Sequence, residues 1–102
     1  MRTGSNSRMK LPYKPRGELM GIVREVSGGS RLIAFCEDNM TRMVRIGGKL
    51  KKKMWTRVGD LVIIKKWQIQ EDKKSDLVYR YTKTEKESLR RKGLIPEVLD
   101  IL

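Results

Sequence analysis

From Glu18 onward, apolar and polar residues alternate with a period of about two, the spacing that is typical of β-strands with one buried face. Clusters of glycine, serine, asparagine and acidic residues separate the alternating runs and predict turns. Strands are therefore predicted at residues 18–26, 31–37, 41–46, 61–69 and 76–82. Gly21, inside the first run, predicts a bulge or a sharp bend. Five short strands in so small a chain favour a closed, all-β barrel.

The alternation also assigns the two faces of each predicted strand. One phase places a mostly apolar set inside the barrel: Leu19, Gly21, Val23, Leu32, Ala34, Cys36, Val44, Ile46, Val62 and Ile64. The continuous aliphatic run Leu61–Ile64 predicts that the fourth strand is buried on both faces. The opposite phase places four side chains on the outside of strands two and three: Ile33, Phe35, Met43 and Arg45. In five-stranded barrels of the oligonucleotide/oligosaccharide-binding kind (OB-folds), this is the usual binding face.

A helix is predicted after the last strand. Thr84 and Glu87 have the spacing of a capping box, and Gly93 follows the run as a stop signal, so the helix would end at Lys92. Beyond it, a set of apolar residues has the spacing of one helical stripe: Leu94, Ile95, Val98, Leu99 and Leu102. The chain is thus expected to comprise a flexible basic tail over residues 1–16, a barrel over 17–83, and a helix with an apolar tail over 84–102.

The charge of the chain indicates what kind of partner it binds. The 102 residues carry 24 Lys and Arg against 12 Asp and Glu, a net charge of +12. Two segments, 1–16 and 49–57, contain five basic residues each and no acid. Clusters of one sign point to a polyanionic partner, most often a nucleic acid. The lysines of the 49–57 segment are expected to neutralise phosphates as point charges: Lys49, Lys51, Lys52 and Lys53.

Composition excludes several kinds of chemistry. There is no histidine and only one cysteine, Cys36, so His-based metal sites, Cys-rich zinc sites and Cys–His nucleophiles are impossible. The segment before Lys49 lacks the glycine spacing of an NTPase phosphate-binding loop. We expect no catalytic residue, no cofactor and no metal, and a cytoplasmic, non-membrane protein without disulfides. Phe35 either stacks on a base or packs under a loop, and the residues alone leave both open.

Four segments, in this order, resemble the archaeal translation initiation factor 1A family, which is related to eukaryotic initiation factor 1A and bacterial initiation factor one. They are Arg42–Ile46, Gly48–Trp55, Asp76–Tyr81 and Glu87–Glu97. The resemblance implies an S1-like OB-fold barrel with a C-terminal helix. It also implies a monomer that binds ribosomal RNA at the decoding (A) site of the small ribosomal subunit, stabilises initiator methionyl-tRNA nearby and promotes dissociation of the subunits.

The resemblance also indicates which residues make these contacts. Together with the charge pattern, it predicts an RNA-binding set: Arg8, Lys14, Arg16, Phe35, Arg42, Arg45, Lys49, Lys51, Lys52, Lys53 and Arg57. A second set at the C-terminus would dock on the translational GTPase initiation factor 5B: Val98, Leu99, Ile101 and Leu102. The same apolar residues could instead pack on their own barrel. The alternative function is a general single-stranded RNA chaperone of cold-shock type, although only 6% of the residues are aromatic.

Overall fold

The computed structural model describes residues 10–28, 30–47, 56–70 and 72–100. All five predicted strands are present: β1 (Glu18–Ser27), β2 (Arg31–Cys36), β3 (Thr41–Arg45), β4 (Leu61–Lys66) and β5 (Lys74–Arg80). A short 3₁₀ helix (Lys14–Arg16) precedes β1, and two α-helices, α1 (Lys83–Arg91) and α2 (Glu97–Asp100), follow β5. Strand β4 ends three residues earlier than predicted, and β5 is displaced by two residues toward the N-terminus.

The strands form a closed barrel in the order β1-β2-β3-β5-β4. Strands β3 and β5 pair in parallel, and every other pair is antiparallel. The bulge in β1 lies between Val23 and Glu25 and not at Gly21. Gly21 instead permits close approach of β1 and β2, since a Cβ atom at this position would lie 3.2 Å from the carbonyl oxygen of Phe35. The predicted five-stranded barrel is confirmed.

Two hydrophobic clusters lie on opposite sides of β1 and β4. The cluster inside the barrel contains the predicted side chains and one more, Leu77. The second cluster lies between the outer faces of β1 and β4 and the C-terminal helices, and its members are Met20, Ile22, Leu61, Ile63, Tyr81, Leu89, Ile95 and Leu99. Leu61–Ile64 contribute to both clusters, so the prediction that β4 is buried on both faces is confirmed.

Helix α1 begins two residues earlier than predicted. Thr82, and not Thr84, is the N-cap: its hydroxyl accepts a hydrogen bond from the Glu85 backbone N–H, and the Glu85 carboxylate accepts one from the Thr82 N–H. Gly93, with a φ of 70°, follows the helix as predicted. The predicted capping box at Thr84 and Glu87 is therefore wrong in register, because the residue that precedes the first helical turn is Thr82.

Residues 10–16 of the predicted basic tail contact the barrel. The Tyr13 backbone N–H donates to Glu18 Oε1 at 2.9 Å, and Lys14 Nζ lies 2.8 Å from Glu37 Oε2. The Tyr81 hydroxyl donates to the Lys10 carbonyl oxygen. The predicted division of the chain at residue 17 stays a prediction, and residues 1–9 lie outside the described part of the chain.

The apolar C-terminal residues pack on their own barrel. Leu99 is 1% exposed and Ile95 is buried in the second cluster, against which Val98 also packs. Leu94 lies outside both helices and is exposed, so these residues do not form one continuous helical stripe. The docking of Leu99 on a partner stays a prediction, and it would require this covered side chain to leave the cluster first. Ile101 and Leu102 lie outside the described residues.

Candidate nucleic-acid interface

The strand register brings basic side chains from separate strands into one row across the barrel. Arg31 of β2 is paired with Arg45 of β3, Arg45 with Asp76 of β5, and Asp76 with Lys65 of β4. Partners in neighbouring strands project from the same face of a sheet. The three basic residues of this row are exposed. The pattern therefore presents cations at regular strand spacing along the outside of the barrel.

Beyond β4, Lys65 is paired with Glu18 of β1, and Arg16 lies two residues before Glu18. The Lys66 backbone N–H donates to the Gly17 carbonyl oxygen at 3.0 Å, which places Arg16 beside the end of β4. Arg16 is exposed, and its guanidinium lies 5.3 Å from the centre of the Tyr13 ring. We call the four exposed residues of this surface the cation band: Arg16, Arg31, Arg45 and Lys65. Such an array suits the repeating phosphates of a nucleic-acid backbone.

Arg45 is the most firmly oriented member of the cation band. Its Nε lies 2.9 Å from Asp76 Oδ1 and its Nη2 lies 3.4 Å from Asp76 Oδ2. The same guanidinium lies 5.2 Å from the centre of the Trp67 ring, and Lys74 Nζ lies 5.5 Å from it. Two cations therefore contact one aromatic ring, an attraction that originates in the ring quadrupole. The side chain of Arg45 is nevertheless 59% exposed, so it can contact a ligand.

A groove of about 500 Å³ lies beside this cluster, and its lining includes Arg45, Lys65, Lys66, Trp67 and Ile69. Ile69 is 78% exposed, a high value for a large aliphatic side chain. Trp67 and the lysines around it were not in the predicted RNA-binding set. The signal in the sequence was the position of a tryptophan directly after Lys65 and Lys66 at a strand end. Only the pairing of β3, β4 and β5 brings Arg45 to the same place.

Arg42 does not belong to the exposed surface. Its side chain is 2% exposed, and its two terminal nitrogens donate to both carboxylate oxygens of Asp38 at 2.9 and 2.8 Å. The hydrogen bond from Arg42 holds the pKa of the Asp38 carboxyl below its usual range, and burial raises the pKa of the neighbouring Cys36 thiol. That Arg42 contacts RNA stays a prediction, and a phosphate could reach this guanidinium only after the pair had separated.

Phe35 is a second residue of the predicted RNA-binding set that packs against other side chains of the protein. Its ring is partly buried and packs against the second hydrophobic cluster. Of the two alternatives that the sequence left open, the structure therefore favours packing. A ring that supports the protein interior offers little free face for a base to stack on.

The remaining predicted contacts occupy several places. Lys14 is exposed although it pairs with Glu37, and Arg57 is exposed while its backbone N–H donates to Asp60 Oδ2 at 2.8 Å. On the two sides of the 49–57 segment, the Ile46 N–H donates to the Ser30 carbonyl oxygen at 2.8 Å and the Asp60 N–H donates to the Arg57 carbonyl oxygen at 3.0 Å. Five residues of the predicted set lie outside the described residues: Arg8, Lys49, Lys51, Lys52 and Lys53.

Two other kinds of site were sought in the described ranges. These ranges contain no group of three or more Cys, Asp or Glu side chains arranged to hold a metal ion. None of the helices within them has the length and apolar character that crossing a bilayer requires.

Comparison with known proteins agrees with this description. Residues 6–101 match the family described as "Translation initiation factor 1A / IF-1". The translation initiation factor 1A of Picrophilus torridus is 53% identical over 94 residues, which cover 92% of this chain and 86% of the relative. That of Thermoplasma acidophilum is 50% identical over 97 residues, covering 95% and 81%. That of Thermococcus kodakarensis is 44% identical over 90 residues, covering 88% and 77%.

A solved structure shares the fold at low sequence identity. The solution structure of translation initiation factor one from the Wolbachia endosymbiont strain TRS of Brugia malayi aligns with a TM-score of 0.50 and 18% identity. The alignment covers 71% of this chain and 85% of that one. The barrel is thus an S1-like OB-fold. With nearly the whole sequence matched and archaeal relatives at up to 53% identity, the chain belongs to the translation initiation factor 1A / IF-1 family.

Proposed function

We propose that this protein binds the decoding (A) site of the small ribosomal subunit through contacts with ribosomal RNA. From that position it stabilises initiator methionyl-tRNA in the neighbouring site and promotes dissociation of the ribosome into subunits. It is a cytoplasmic protein that acts by occupying a site on the ribosome and not by catalysing a reaction. The family membership supports the ribosomal target, and the cation band is the observation that supports recognition of RNA by its phosphates.

The proposed RNA contacts fall into two groups. The first is the cation band with Lys14 and Arg57, all on the described surface. The second is Arg8 together with the four lysines of the 49–57 segment. Because these lysines follow Arg45 closely along the chain, both groups would approach the RNA from one end of β3. Docking on initiation factor 5B is proposed for the last residues of the chain, Ile101 and Leu102, and for the neighbouring Val98.

The alternative, a cold-shock RNA chaperone, fits the described surface less well. Such proteins use a row of exposed aromatic rings to stack bases. Here Tyr81 is buried, and Phe35 and Tyr79 pack against the second hydrophobic cluster. Tyr13 is exposed, but the Arg16 guanidinium already lies over its ring. Recognition of a folded RNA by phosphate and shape therefore has more support than stacking along a single strand.

Charge reversal in the 49–57 segment tests the proposed function. The triple variant Lys51→Glu, Lys52→Glu and Lys53→Glu should weaken binding to purified small subunits roughly tenfold or more, because each lost phosphate contact removes about 0.7–0.9 from the slope of log affinity against log salt. The measurement is a binding titration at several salt concentrations. Thermal unfolding checks that the domain remains folded.

A matched control has the same change in net charge elsewhere. Lys83, Arg91 and Lys92 are exposed on and just after α1, away from the cation band, and their replacement by Glu should leave small-subunit affinity within about threefold. Equal losses in both triple variants would mean that only net charge matters, and would contradict a specific contact. Equal affinity of the wild type for small subunits and for an unstructured oligonucleotide would favour the chaperone.

A further inference from the structure

We propose that residues 10–17, which we call the N-terminal strap, act as a latch on α2. While the strap is docked on the barrel, α2 stays packed and Leu99 stays covered; when the strap is released, α2 is freed with it. The two segments are far apart in the sequence but line one groove, and Tyr81 connects the strap to the cluster that contains Leu99. The inference rests on the proposed function only for the partner that the freed α2 would bind, initiation factor 5B.

The N-terminal strap is held to the barrel by few contacts. The Tyr13 N–H donates to Glu18 Oε1 at 2.9 Å, and Lys14 Nζ lies 2.8 Å from Glu37 Oε2. Lys14 is exposed, and an ion pair that is open to water stabilises a fold only weakly. Within the strap, which the structure describes in full, no residue is buried. Segments with so little buried surface open more readily than the core of a protein.

Tyr81 connects the N-terminal strap to the second hydrophobic cluster. Its ring is 2% exposed and belongs to the same cluster as Leu99. Its hydroxyl donates to the Lys10 carbonyl oxygen. Burial raises the pKa of Tyr81, so the hydroxyl keeps its proton and remains a donor. The polar end of one side chain therefore holds the strap, while its ring supports the cluster in which α2 is anchored.

The strap and the segment that leads into α2 also line one groove of about 200 Å³. Two of the lining residues come from the strap and two from the approach to α2: Leu11, Pro12, Leu94 and Pro96. The Pro96 carbonyl oxygen accepts hydrogen bonds from the N–H groups of Leu99 and Asp100 at 2.9 and 3.0 Å, so the turn of α2 is built on it. Departure of the strap therefore removes one wall from beside the start of α2.

Helix α2 depends on its surroundings. It consists of the single turn Glu97–Asp100, and a helix of this length is not stable by itself in water. Leu99 is its one buried residue, and the contact of Arg90 Nε with Asp100 Oδ1 at 3.0 Å is exposed on both sides. Two marginal segments that support each other are expected to be released together, which is a coupling between the two ends of the chain.

The test removes the Tyr81 hydroxyl and keeps its ring. In Tyr81→Phe, ¹H–¹⁵N NMR of the full chain should show amide hydrogen exchange about fivefold faster at Tyr13 and at Leu99, since one hydrogen bond shifts a local opening equilibrium by about this factor. The Val23 N–H, which donates to the Asp60 carbonyl oxygen at 2.9 Å, should exchange at an unchanged rate. Faster exchange at Tyr13 without any change at Leu99 would overturn the proposal.

Tyr79→Phe is the matched control. The Tyr79 hydroxyl donates to Glu85 Oε2 at 2.8 Å, so its removal affects the start of α1 instead of the strap. The centres of the Tyr79 and Tyr81 rings are 5.2 Å apart, which makes the two sites neighbours. In this control, exchange at Tyr13 and Leu99 should stay within about twofold of the wild type. Equal acceleration in both variants would mean that any lost hydroxyl loosens this region, and would contradict a latch.

A second variant releases the strap without touching the second cluster. Lys14→Glu places a carboxylate beside Glu37, so that repulsion replaces the ion pair, and exchange should again become several-fold faster at Tyr13 and Leu99. Arg31→Glu is its control, because it reverses the same charge at the start of β2, whereas Glu37 follows the end of that strand. Unchanged exchange at Leu99 in both strap variants, or an equal change in the Arg31 control, would contradict the proposal.

Partner binding is measured separately on the same proteins. Tyr81→Phe should bind initiation factor 5B up to about fivefold more tightly than the wild type, because a larger fraction of α2 is free, and equal affinity would overturn this role of the latch. If exchange at Tyr13 and Leu99 is coupled but the wild type binds neither small subunits nor initiation factor 5B, the latch stands and the proposed function is wrong. If both partners bind but exchange is not coupled, the proposed function stands and the latch is wrong.

Discussion

Asp38 and Arg42 join the turn between β2 and β3 to the barrel wall. Arg42 is paired in register with Ala34, an interior residue of β2, and its guanidinium is almost fully covered. Burying a guanidinium is unfavourable unless its charge is matched and its donors are used. Asp38, which is 34% exposed, satisfies two of these donors at the edge of the barrel. This pair therefore stabilises the turn between β2 and β3 against the barrel wall.

We predict that Asp38→Asn lowers the free energy of unfolding by about 2–3 kcal/mol at neutral pH, because it leaves a buried cation without its counter-ion. The pair depresses the pKa of Asp38 in the folded state, so its contribution is present above the ordinary value of 3.8 and is lost as the pH falls through the depressed pKa. Urea unfolding at neutral and at acidic pH measures both effects.

The control for this prediction is Asp76→Asn. The Arg45–Asp76 pair is exposed on both sides, so its loss should cost well below about 1 kcal/mol. A difference between wild type and Asp38→Asn that persists unchanged at strongly acidic pH would show that the Asp38 charge is not the cause.

Helix α1 is short, and it is held to the barrel by its N-cap and by one buried leucine. At its start, Glu85 accepts hydrogen bonds from the Thr82 N–H at 2.8 Å and from the Tyr79 hydroxyl at 2.8 Å, so the cap is tied to β5. Burial, with the Glu85 carboxylate as a second cause, raises the pKa of Tyr79 and keeps its hydroxyl protonated as a donor. Leu89 is the one buried residue of the helix, and it enters the second cluster.

We predict that Thr82→Ala lowers the free energy of unfolding by about 1 kcal/mol, the usual cost of losing an N-cap hydroxyl. Thr84→Ala, two residues later and exposed, should change it by less than about 0.5 kcal/mol. Chemical unfolding of the two variants and the wild type decides the register of the capping box. A larger loss for Thr84→Ala would restore the register that the sequence pattern favoured.

The molecule as a whole has two cores that share β1 and β4. The first closes the barrel, and the second attaches α1 and α2 to its outer face. The C-terminal segment is therefore part of the folded domain, while the cation band lies on β2, on β3, at the end of β4 and on the short 3₁₀ helix that precedes β1. This division leaves the basic surface accessible while the apolar surface is covered.

We predict that Leu99→Ala lowers the free energy of unfolding by about 2–4 kcal/mol, because it leaves a cavity in the second cluster. Leu94→Ala, at a side chain that is 44% exposed, should cost less than about 1 kcal/mol. Urea unfolding compares the two variants. If Leu99→Ala kept wild-type stability, Leu99 would be free to dock on a partner after all.

The periodicity of the sequence was sufficient to predict the barrel. Alternation over five runs assigned the strands and nearly every interior side chain, because the pleat of a strand forces successive residues to opposite faces whatever the neighbouring strands are. The two acid-free segments likewise indicated a polyanionic partner, since net charge does not depend on the fold. The family resemblance rests on contiguous motifs, which can be read without coordinates.

The functional surface needed contacts between residues that are distant along the chain. Arg45 is 31 residues from Asp76, and only the parallel pairing of β3 with β5 brings them together beside Trp67. Arg42 and Arg45 look equivalent in the sequence, yet one phase of the strand buries the first and the other phase exposes the second. Local pattern thus determines which way a side chain points. What it meets there depends on strand pairing and helix packing, in which residues far apart in the sequence are brought into contact.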